Sequence, residues 1–491
     1  MVRFTSYIKR PATKKNSYAP EPVEDVSFPF DVYVAAVYPN QADIPKLKRA
    51  LENAIANDVP ISAGVLVRQH DQIQVEVDHD DAGVPFTVQT TDDLTDRELA
   101  KILDEGDVDD DGCSSRVCRW LADDSQGRER AHALSELVDG GRLGIDAHVL
   151  EPVTRVRLTQ ARGCYVVCVQ ASHLPSDAWS VFLLWDAWSR AYASLSTGTG
   201  DIADATSKPV WWDGAQFRES LPTSRPGGTA EFRSFEKALP VWMRERSEAV
   251  MKARAGNARR DDDEGHVLWL RVSDDGMRSL REASGSKTFD VLMHLLSPEN
   301  VRWFRIAYDL RISHPDSDSS HFYGRGAIRL YGCVAEKMGG IEAGDVRRAL
   351  RHDACDFPTR ADVVHGPFLA VSYWSHEPST FPAGNAMPAF GSSVGRTCFP
   401  ASFLLSHWQD CFVPLAVDSD RVCAFIRRVS DQYMVACYGI ERQLRHIALE
   451  VRRHSAEVGL REGASESFEV HVARSCASRP RPLDARAAEA G

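Results

Sequence analysis

Residues 164–192 read CYVVCVQASHLPSDAWSVFLLWDAWSRAY, and this stretch decides the fold. Its beginning is rich in β-branched and apolar residues, which predicts a buried strand. Pro175 ends the strand, and Ser176 or Asp177 can cap the helix that follows. Apolar residues then recur at spacings of three and four, as on one face of a helix: Val181, Trp185, Trp188 and Tyr192. The sequence therefore predicts a strand that passes through a short turn into an aromatic, amphipathic helix.

The predicted turn holds a histidine at the end of the strand, His173, and a carboxylate four residues later, Asp177. An imidazole with a pKa near ~6.5 can take a proton from a hydroxyl or an amine at neutral pH if it is held in one orientation. The alternative is a structural histidine, because the bare pattern His-x-x-x-Asp occurs by chance in many chains. The strand before it and the aromatic helix after it make the string much rarer. They favour His173 as a general base.

The string from His173 to Asp177, followed by Ala178, resembles the motif of the HxxxD acyltransferases. These are the plant and fungal BAHD enzymes, and the chain is closest in style to the fungal trichothecene-acetyltransferase-like members. The family usually has glycine where this chain has Ala178. The resemblance implies an α/β fold of two chloramphenicol-acetyltransferase-like domains with mixed sheets, a pseudo-dimer around a central channel with the histidine at its middle. It extends over roughly residues 20–475 and rests on a few short islands.

The other islands supply the remaining candidate site residues. Arg311, just after a predicted strand at 301–310, is expected to form a bidentate pair with Asp177 that holds the base loop, and the alternative is an ordinary surface arginine. Ser372 takes the place of a family threonine near the reacting carbonyl, where a hydroxyl can stabilise an oxyanion. The resemblance also implies five residues along the substrate and CoA channel: Trp179, Tyr323, Trp374, Phe390 and Gly391.

The island at 389–396 departs most from the family. It reads AFGSSVGR where the family has Asp-Phe-Gly-Trp-Gly, so that the aspartate and the tryptophan are missing. This loop is mainly architectural in the family, and its departure therefore leaves the base in place. It does put in doubt any preference for acceptor or CoA that is inferred from plant members.

Composition and length favour a soluble enzyme of two domains. A chain of 491 residues is too long for one ordinary core, and 43% hydrophobic and 26% charged residues are typical of globular proteins. The net charge of −12 argues against nucleic-acid binding, and no stretch reaches the ~18–20 apolar residues that a membrane span needs. Several of the eleven cysteines lie in apolar runs, which indicates buried thiols in a reducing, cytoplasmic setting: Cys164, Cys168, Cys333 and Cys437.

The predicted organisation has two halves and a linker. We expect an N-terminal half at 20–215 joined by part of 378–412, a crossover linker at 216–265, a C-terminal half at 266–475 and a disordered tail at 476–491. The basic segment before the first predicted strand at 30–37 is expected to be a solvated arm. Acidic runs at 78–81 and 104–111 lack the spacing of an EF-hand loop, and no metal site is predicted.

These expectations combine into an acyl-CoA-dependent O-acyltransferase that acts as a monomer. His173 would deprotonate a hydroxyl of a small-molecule acceptor, a secondary metabolite, and the alkoxide would attack the thioester directly. Acyl-CoA, acetyl-CoA first of all, is the expected co-substrate, with no bound cofactor and no nucleic-acid or membrane partner. Two alternatives stay open. One is N-acyl or carrier-protein-dependent transfer of the condensation type, and the other is a catalytically degenerate homologue that binds a ligand.

Overall fold

The computed structural model of the protein describes residues 3–9, 21–22, 31–69, 72–90, 151–197, 210–213, 216–217, 231, 234–235, 237–239, 241–243, 245–246, 249, 265–309, 311, 321–324, 327–334, 341–351, 357–374, 386–391, 393–397, 421–429, 432–460 and 468–474. The acidic run 104–111, most of the predicted linker and the predicted tail lie outside these ranges.

The strands, in chain order, are β1 (Arg3–Ile8), β2 (Glu21–Pro22), β3 (Asp31–Pro39), β4 (Val65–Gln69), β5 (Gln72–Glu76), β6 (Val84–Thr90), β7 (Glu151–Pro152), β8 (Thr154–Ala161), β9 (Cys164–Ser172), β10 (Gly265–Ser273), β11 (Trp303–Asp309), β12 (Ala327–Cys333), β13 (Phe368–Trp374), β14 (Ala386–Phe390), β15 (Ser393–Thr397), β16 (Arg421–Val429), β17 (Gln432–Ile440) and β18 (Phe468–Arg474). The helices are α1 (Ile44–Asn57), α2 (Ala178–Thr197), α3 (Asp274–Ser284), α4 (Thr288–Leu295), α5 (Ala343–Arg351), α6 (Arg360–His365) and α7 (Glu441–Glu457), with a 3₁₀ helix at Pro60–Ala63.

The strands form two large mixed sheets and one small sheet. The first sheet has the order β1-β6-β8-β9-β3-β15-β14, and the second has the order β12-β11-β13-β16-β17-β10-β18. A four-stranded sheet, β2-β5-β4-β7, stands apart from both. Parallel pairs β6–β8, β11–β13 and β13–β16 lie among antiparallel ones, as the predicted mixed α/β architecture requires.

Each large sheet buries one face under helices. Residues of β3 and β9 alternate so that Val34, Ala36, Val167 and Val169 join a core with α1 and α2. The second sheet packs in the same way against α3, α4 and α7. Each buried aliphatic or aromatic side chain contributes roughly 1.5–3 kcal/mol, so each core stabilises the sheet that it covers.

Two tryptophans fix α2 on the first sheet. Trp185 donates its indole N–H to the hydroxyl of Tyr38 on β3 at 2.8 Å, and Trp188 donates to the carbonyl of Leu47 on α1 at 2.8 Å. Both indoles are fully buried. Because a buried N–H must be paired, these bonds set the rotation of α2 as well as its depth. The helix that follows the candidate base therefore starts from a fixed position.

The structure corrects one sequence-based expectation near the N-terminus. The expected solvated arm contains β1, which pairs antiparallel with β6 so that Ile8 lies opposite Val84 and is fully buried. The segment is short and free of proline, and one apolar residue reaches the core while Phe4 and Tyr7 stay exposed. Farther along the chain, Pro60 starts a 3₁₀ turn, and β4 begins at Val65.

The described cysteines at the predicted positions are free thiols: Cys164, Cys168 and Cys437 are buried, and Cys333 is half-buried. Burial raises the pKa of Cys168 to about 12, although the nearby Arg157 opposes the shift. Because this pKa exceeds the unfolded value of ~8.5, the protonated thiol stabilises the fold below about pH 8.5, and the contribution is lost as the pH rises toward 12.

We therefore expect Cys168 in the folded protein to react with iodoacetamide at pH 8 far more slowly than Cys333, and to react readily in urea. Mass spectrometry of the labelled peptides measures both rates. Urea unfolding at pH 7.5 and 10.5 should also show a smaller pH-dependent loss of stability for Cys168→Ala than for the wild type. Equal labelling of the two thiols in the folded protein would contradict the assignment.

Candidate active site

Hydrogen bonds of serine hydroxyls within the turn after β9 hold the turn together. All nine residues of β9 are buried, and the strand ends at Ser172. The hydroxyl of Ser172 accepts the backbone N–H of Leu174 at 3.3 Å, and the hydroxyl of Ser176 donates to the carbonyl of Ser172 at 2.5 Å. The ring of Pro175 fixes the φ angle of that residue, which further restricts the conformation of the turn. The position of the loop relative to the strand is therefore set by short local contacts.

His173 lies in this turn with one ring nitrogen committed. Its Nδ1 is 2.7 Å from the backbone carbonyl oxygen of Ser176, and the side chain is only partly buried. A carbonyl oxygen can only accept, so Nδ1 carries the hydrogen. In the neutral ring the lone pair is then on Nε2. This tautomer is the one that a base acting through Nε2 requires.

Asp177 caps α2, and both of its carboxylate oxygens have partners. Its Oδ1 accepts the backbone N–H of Ser180 at 3.1 Å and is 3.2 Å from the Ser180 hydroxyl. Its Oδ2 accepts from Nη2 of Arg311 at 2.5 Å, with both side chains buried. A carboxylate at a helix N-terminus is also favoured by the helix dipole. Asp177 therefore holds the loop by capping α2 and by pairing with Arg311.

Arg311 connects elements of both large sheets. It lies two residues after β11, and its Nη1 donates to the carbonyls of Phe322 and Gly324 at 3.2 and 3.3 Å. Its guanidinium also lies 5.3 Å from the ring centroid of Trp179, at the start of α2. The Asp177 carboxylate and the two carbonyls accept three of the five N–H hydrogens of this buried guanidinium. The base loop is thereby tied to the segment between β11 and β12.

Tyr323 is buried against the same loop. Its hydroxyl lies 3.5 Å from Oγ1 of Thr154 on β8. Burial raises the pKa of Tyr323 to about 12, and the charge of Asp177 adds to the shift. The phenol therefore stays neutral at physiological pH. This residue was expected to line a channel; the structure leaves it 1% exposed and packed into the first core, and its channel role stays a prediction.

Gly324 approaches the loop where a side chain would not fit. Its N–H donates to the Ser180 hydroxyl at 3.0 Å, and a Cβ at this position would lie 2.4 Å from Cζ of Phe322. We expect Gly324→Ala to cost about 1–3 kcal/mol, because the Phe322 ring must move.

Urea unfolding of Gly324→Ala measures this cost. Gly344→Ala is the matched control, since a Cβ there would meet nothing within 4 Å, and it is expected to leave stability unchanged or slightly raised. Equal stability of the two variants would show that the close approach of Gly324 does not matter.

The other predicted site residues lie elsewhere in the fold. Ser372 is on β13 of the second sheet, paired in register with Ala307 and Phe425, and is half-buried. The backbone of Trp374 ends the same strand, and its side chain lies outside what the structure describes. Gly391 turns the β14–β15 hairpin with a φ of 69°, which favours glycine. The oxyanion role of Ser372 and the channel role of Trp374 therefore stay predictions.

Phe390 was expected in the channel, and the structure places it in the first core. Its ring centroid lies 4.9 Å from that of Trp188, 5.1 Å from Tyr38 and 5.4 Å from Tyr192. The residue is 3% exposed. A ring enclosed by three aromatic side chains packs the core, so Phe390 anchors β14 on α2. Phe390 thus connects the β14–β15 hairpin, where the sequence departs from the family motif, to α2, the helix that follows the candidate base.

Sequence reasoning missed the hydroxyls that complete the site. Ser180 bridges Asp177 and Gly324, and the spacing Asp-x-x-Ser at a helix start could have signalled the capping contact. Thr154 is far along the chain and has no such signal. Among the described residues, no group of three or more His, Cys, Asp or Glu side chains could hold a metal ion. No helix in the described part of the chain is long and apolar enough to cross a membrane.

Solved structures of low sequence identity share this fold. Vinorine synthase matches with a TM-score of 0.52 at 13% identity, over 92% of this chain and 97% of that chain. The first condensation domain of the CDA synthetase matches with a TM-score of 0.50 at 13% identity, over 90% and 97%. A nonribosomal peptide synthetase bound to α-methyl-L-serine-AMP matches with 0.51 at 14% identity, over 94% of this chain and 47% of that chain. No protein-family model and no curated protein matches the sequence. The chain therefore has the two-domain chloramphenicol-acetyltransferase-like α/β fold that its motifs predict.

Proposed function

We propose that the protein transfers an acyl group from acyl-CoA to a hydroxyl of a small-molecule acceptor, with His173 as the base. The observation that carries the proposal is the bond from Nδ1 of His173 to the carbonyl of Ser176, which leaves the lone pair of the neutral ring on Nε2. The same tautomer is needed to accept a proton from an acceptor hydroxyl. The likeness of fold to vinorine synthase and the HxxxD string around His173 support the assignment.

The reaction needs one base and two bound substrates. Nε2 of His173 takes the proton of the acceptor hydroxyl as its oxygen attacks the thioester carbonyl carbon. The tetrahedral intermediate collapses with cleavage of the C–S bond, and the thiolate takes the proton back from the imidazolium. No covalent acyl-enzyme forms. Thiolate is a good leaving group, so positioning and base catalysis account for most of the expected acceleration.

The remaining residues support this step without taking part in proton transfer. The Asp177–Arg311 pair fixes the loop that carries the base. Ser372 is proposed to donate to the developing oxyanion, where loss of such a donor costs about 3 kcal/mol. Whether acetyl-CoA is the preferred donor, and which hydroxyl is acylated, depends on the shape of the substrate pocket.

A condensation-type reaction is the second candidate. The match to a condensation domain over 90% of this chain favours it. In that case the acyl group arrives on a carrier protein and the acceptor is an amine. An acyl-pantetheine on a carrier protein would then be consumed, and free acyl-CoA would not.

The two candidates are separated by offering both donor types. The purified protein is incubated with acetyl-, malonyl- and longer acyl-CoAs in a host metabolite extract, and products are detected by their mass shifts. The proposal expects an acylated product that disappears with His173→Ala. Turnover with carrier-bound donors alone would favour the condensation reaction. Calorimetric binding of a ligand with no turnover from either donor would instead indicate a degenerate, ligand-binding homologue.

A further inference from the structure

The hydroxyl of Ser180 lies where α2 meets the segment between β11 and β12. Ser180 is the third residue of α2 and is fully buried. Its Oγ lies 3.4 and 3.0 Å from the backbone nitrogens of Asp177 and Gly324. It also lies 3.2 Å from Oδ1 of Asp177 and 3.1 Å from the carbonyl oxygen of Gly324. One side chain on α2 thus contacts both the base loop and a connection of the second sheet.

The number of hydrogens decides how this hydroxyl bonds. A hydroxyl has one hydrogen and two lone pairs. The lone pairs of Ser180 accept the N–H groups of Asp177 and Gly324, since a backbone N–H can only donate. The one hydrogen is then donated to the Asp177 carboxylate or to the Gly324 carbonyl. The bonding capacity of the hydroxyl is therefore fully used, and a methyl group in its place would take this acceptor away from two N–H groups.

One of these N–H groups belongs to the same peptide unit as the carbonyl that holds the base. In the peptide between Ser176 and Asp177, the carbonyl oxygen lies 2.7 Å from Nδ1 of His173, and the N–H donates to Oγ of Ser180. Because a peptide group is planar, its carbonyl and its N–H rotate together. A rotation of this plane therefore moves the oxygen that accepts Nδ1–H. A displacement of about 1 Å in a positioning contact can lower a reaction rate about 100-fold.

A second hydrogen bond restrains the same region. Oδ1 of Asp177 accepts the N–H of Ser180 at 3.1 Å, so each of the two side chains bonds to the backbone of the other residue. This is the arrangement of a capping box, in which the third helical residue is more often Glu or Gln. Here a serine takes that place, and its hydroxyl also reaches the backbone of Gly324. The helix cap and the contact with the second sheet's connection therefore share one oxygen atom.

We infer that Ser180 is a positioning residue, whose hydroxyl holds the plane of the 176–177 peptide against the backbone of Gly324 and thereby sets the orientation of His173. The inference rests on the proposed role of His173 as the base. Ser180 acts on the ring through this peptide and takes no part in proton transfer. The orientation of a base carried by the first sheet then depends on the connection between two strands of the second.

The test compares Ser180→Ala with Ser189→Ala. The first variant removes the hydroxyl and keeps the helix, since alanine has the highest helix propensity. Ser189 lies on the same helix and is also buried, and its hydroxyl donates to the carbonyl of Asp186 at 2.9 Å. Ser189→Ala therefore deletes a buried serine hydroxyl of α2 that bonds within the helix, and it is the matched control.

The ring nitrogens of His173 are observed by ¹⁵N NMR, with the signals assigned by their loss in His173→Gln. We expect the wild type to show the Nδ1–H tautomer, and Ser180→Ala to shift the signals toward the average of the two neutral tautomers. The amide hydrogens of Asp177 and Gly324 should exchange at least about 10-fold faster, because each loses an acceptor. With the identified donor, kcat should fall about 10-fold to 100-fold and KM should be nearly unchanged.

Ser189→Ala should leave the His173 signals, the two exchange rates and the kinetics as in the wild type. Wild-type His173 signals in folded Ser180→Ala would overturn the inference, even with faster amide exchange, because Ser180 would then only cap the helix. An equal change in Ser189→Ala would also overturn it. If Ser180→Ala does not fold, Ser180→Cys replaces it, since a thiol is a weaker acceptor than a hydroxyl. The same direction of change is expected, and its absence counts against the inference equally.

The NMR readouts do not depend on the reaction. If acyl transfer is absent but the His173 signals shift as expected, the proposed function fails while the positioning role of Ser180 stands. If His173→Ala abolishes acyl transfer but Ser180→Ala leaves the ring signals unchanged, the positioning role fails while the proposed function stands.

Discussion

His173→Ala is expected to lower kcat for acyl transfer by about 10²-fold to 10⁴-fold, the range typical of losing a general base. The variant removes the only group in the proposed mechanism that exchanges a proton with the acceptor. KM should change little, because His173 is proposed to act on the reacting atoms and not to bind the rest of the substrate. Steady-state kinetics with the donor identified from the acyl-CoA panel measures both constants.

The matched control is His365→Ala, at the exposed end of α6 in the second sheet's half of the fold. It should retain wild-type kinetics. His365→Ala should unfold at the wild-type urea concentration, whereas His173→Ala should lose about 1 kcal/mol, because the ring is only partly buried but its bond to the Ser176 carbonyl is lost. If folded His173→Ala keeps a large share of the activity, the mechanism assigned to His173 is wrong.

Arg311→Met is expected to cost about 3–5 kcal/mol of stability, because it leaves the buried carboxylate of Asp177 without its cation. Methionine approximates the arginine stem, so the loss reports the charge more than the volume. The carbonyls of Phe322 and Gly324 also lose a donor in this variant. Urea denaturation followed by tryptophan fluorescence measures the cost.

Two further variants make this result interpretable. Adding Asp177→Asn to Arg311→Met should recover part of the stability, since the buried negative charge is then gone. Arg360→Met breaks an exposed pair with Glu245 and should cost at most about 1 kcal/mol. If Arg311→Met costs no more than Arg360→Met, the Asp177–Arg311 pair does not hold the loop together.

The sequence predicts best what is local. β9, the turn and α2 follow from strand composition, a proline and helical spacing, and the structure has all three, with β9 at Cys164–Ser172 and α2 at Ala178–Thr197. The pairing of Asp177 with Arg311 came from a family resemblance and not from spacing, because the two residues are 134 positions apart. The structure adds the carbonyls of Phe322 and Gly324 to that pair.

What sequence analysis missed depends on contacts between distant segments. Tyr323 and Thr154 are 169 residues apart, and no periodicity relates a phenol to a threonine. Their hydroxyls meet only because the fold brings the segment before β12 beside β8. The burial of Phe390 was missed although part of 378–412 was expected to join the N-terminal half, because no pattern predicts that its ring packs between Trp188, Tyr38 and Tyr192.

The late addition of β14 and β15 to the first sheet also bears on how the protein is synthesised. Arg396 on β15 pairs with Val37 on β3, so β3 has an open edge until the ribosome has released the hairpin. At a synthesis rate of about 5–20 residues per second, the time between the release of β3 and the release of β15 is on the order of ten seconds or more. An unpaired strand edge invites association with other nascent chains. Slow translation between β9 and β14 should therefore increase aggregation in the cell, and chaperone occupancy should be highest over that interval.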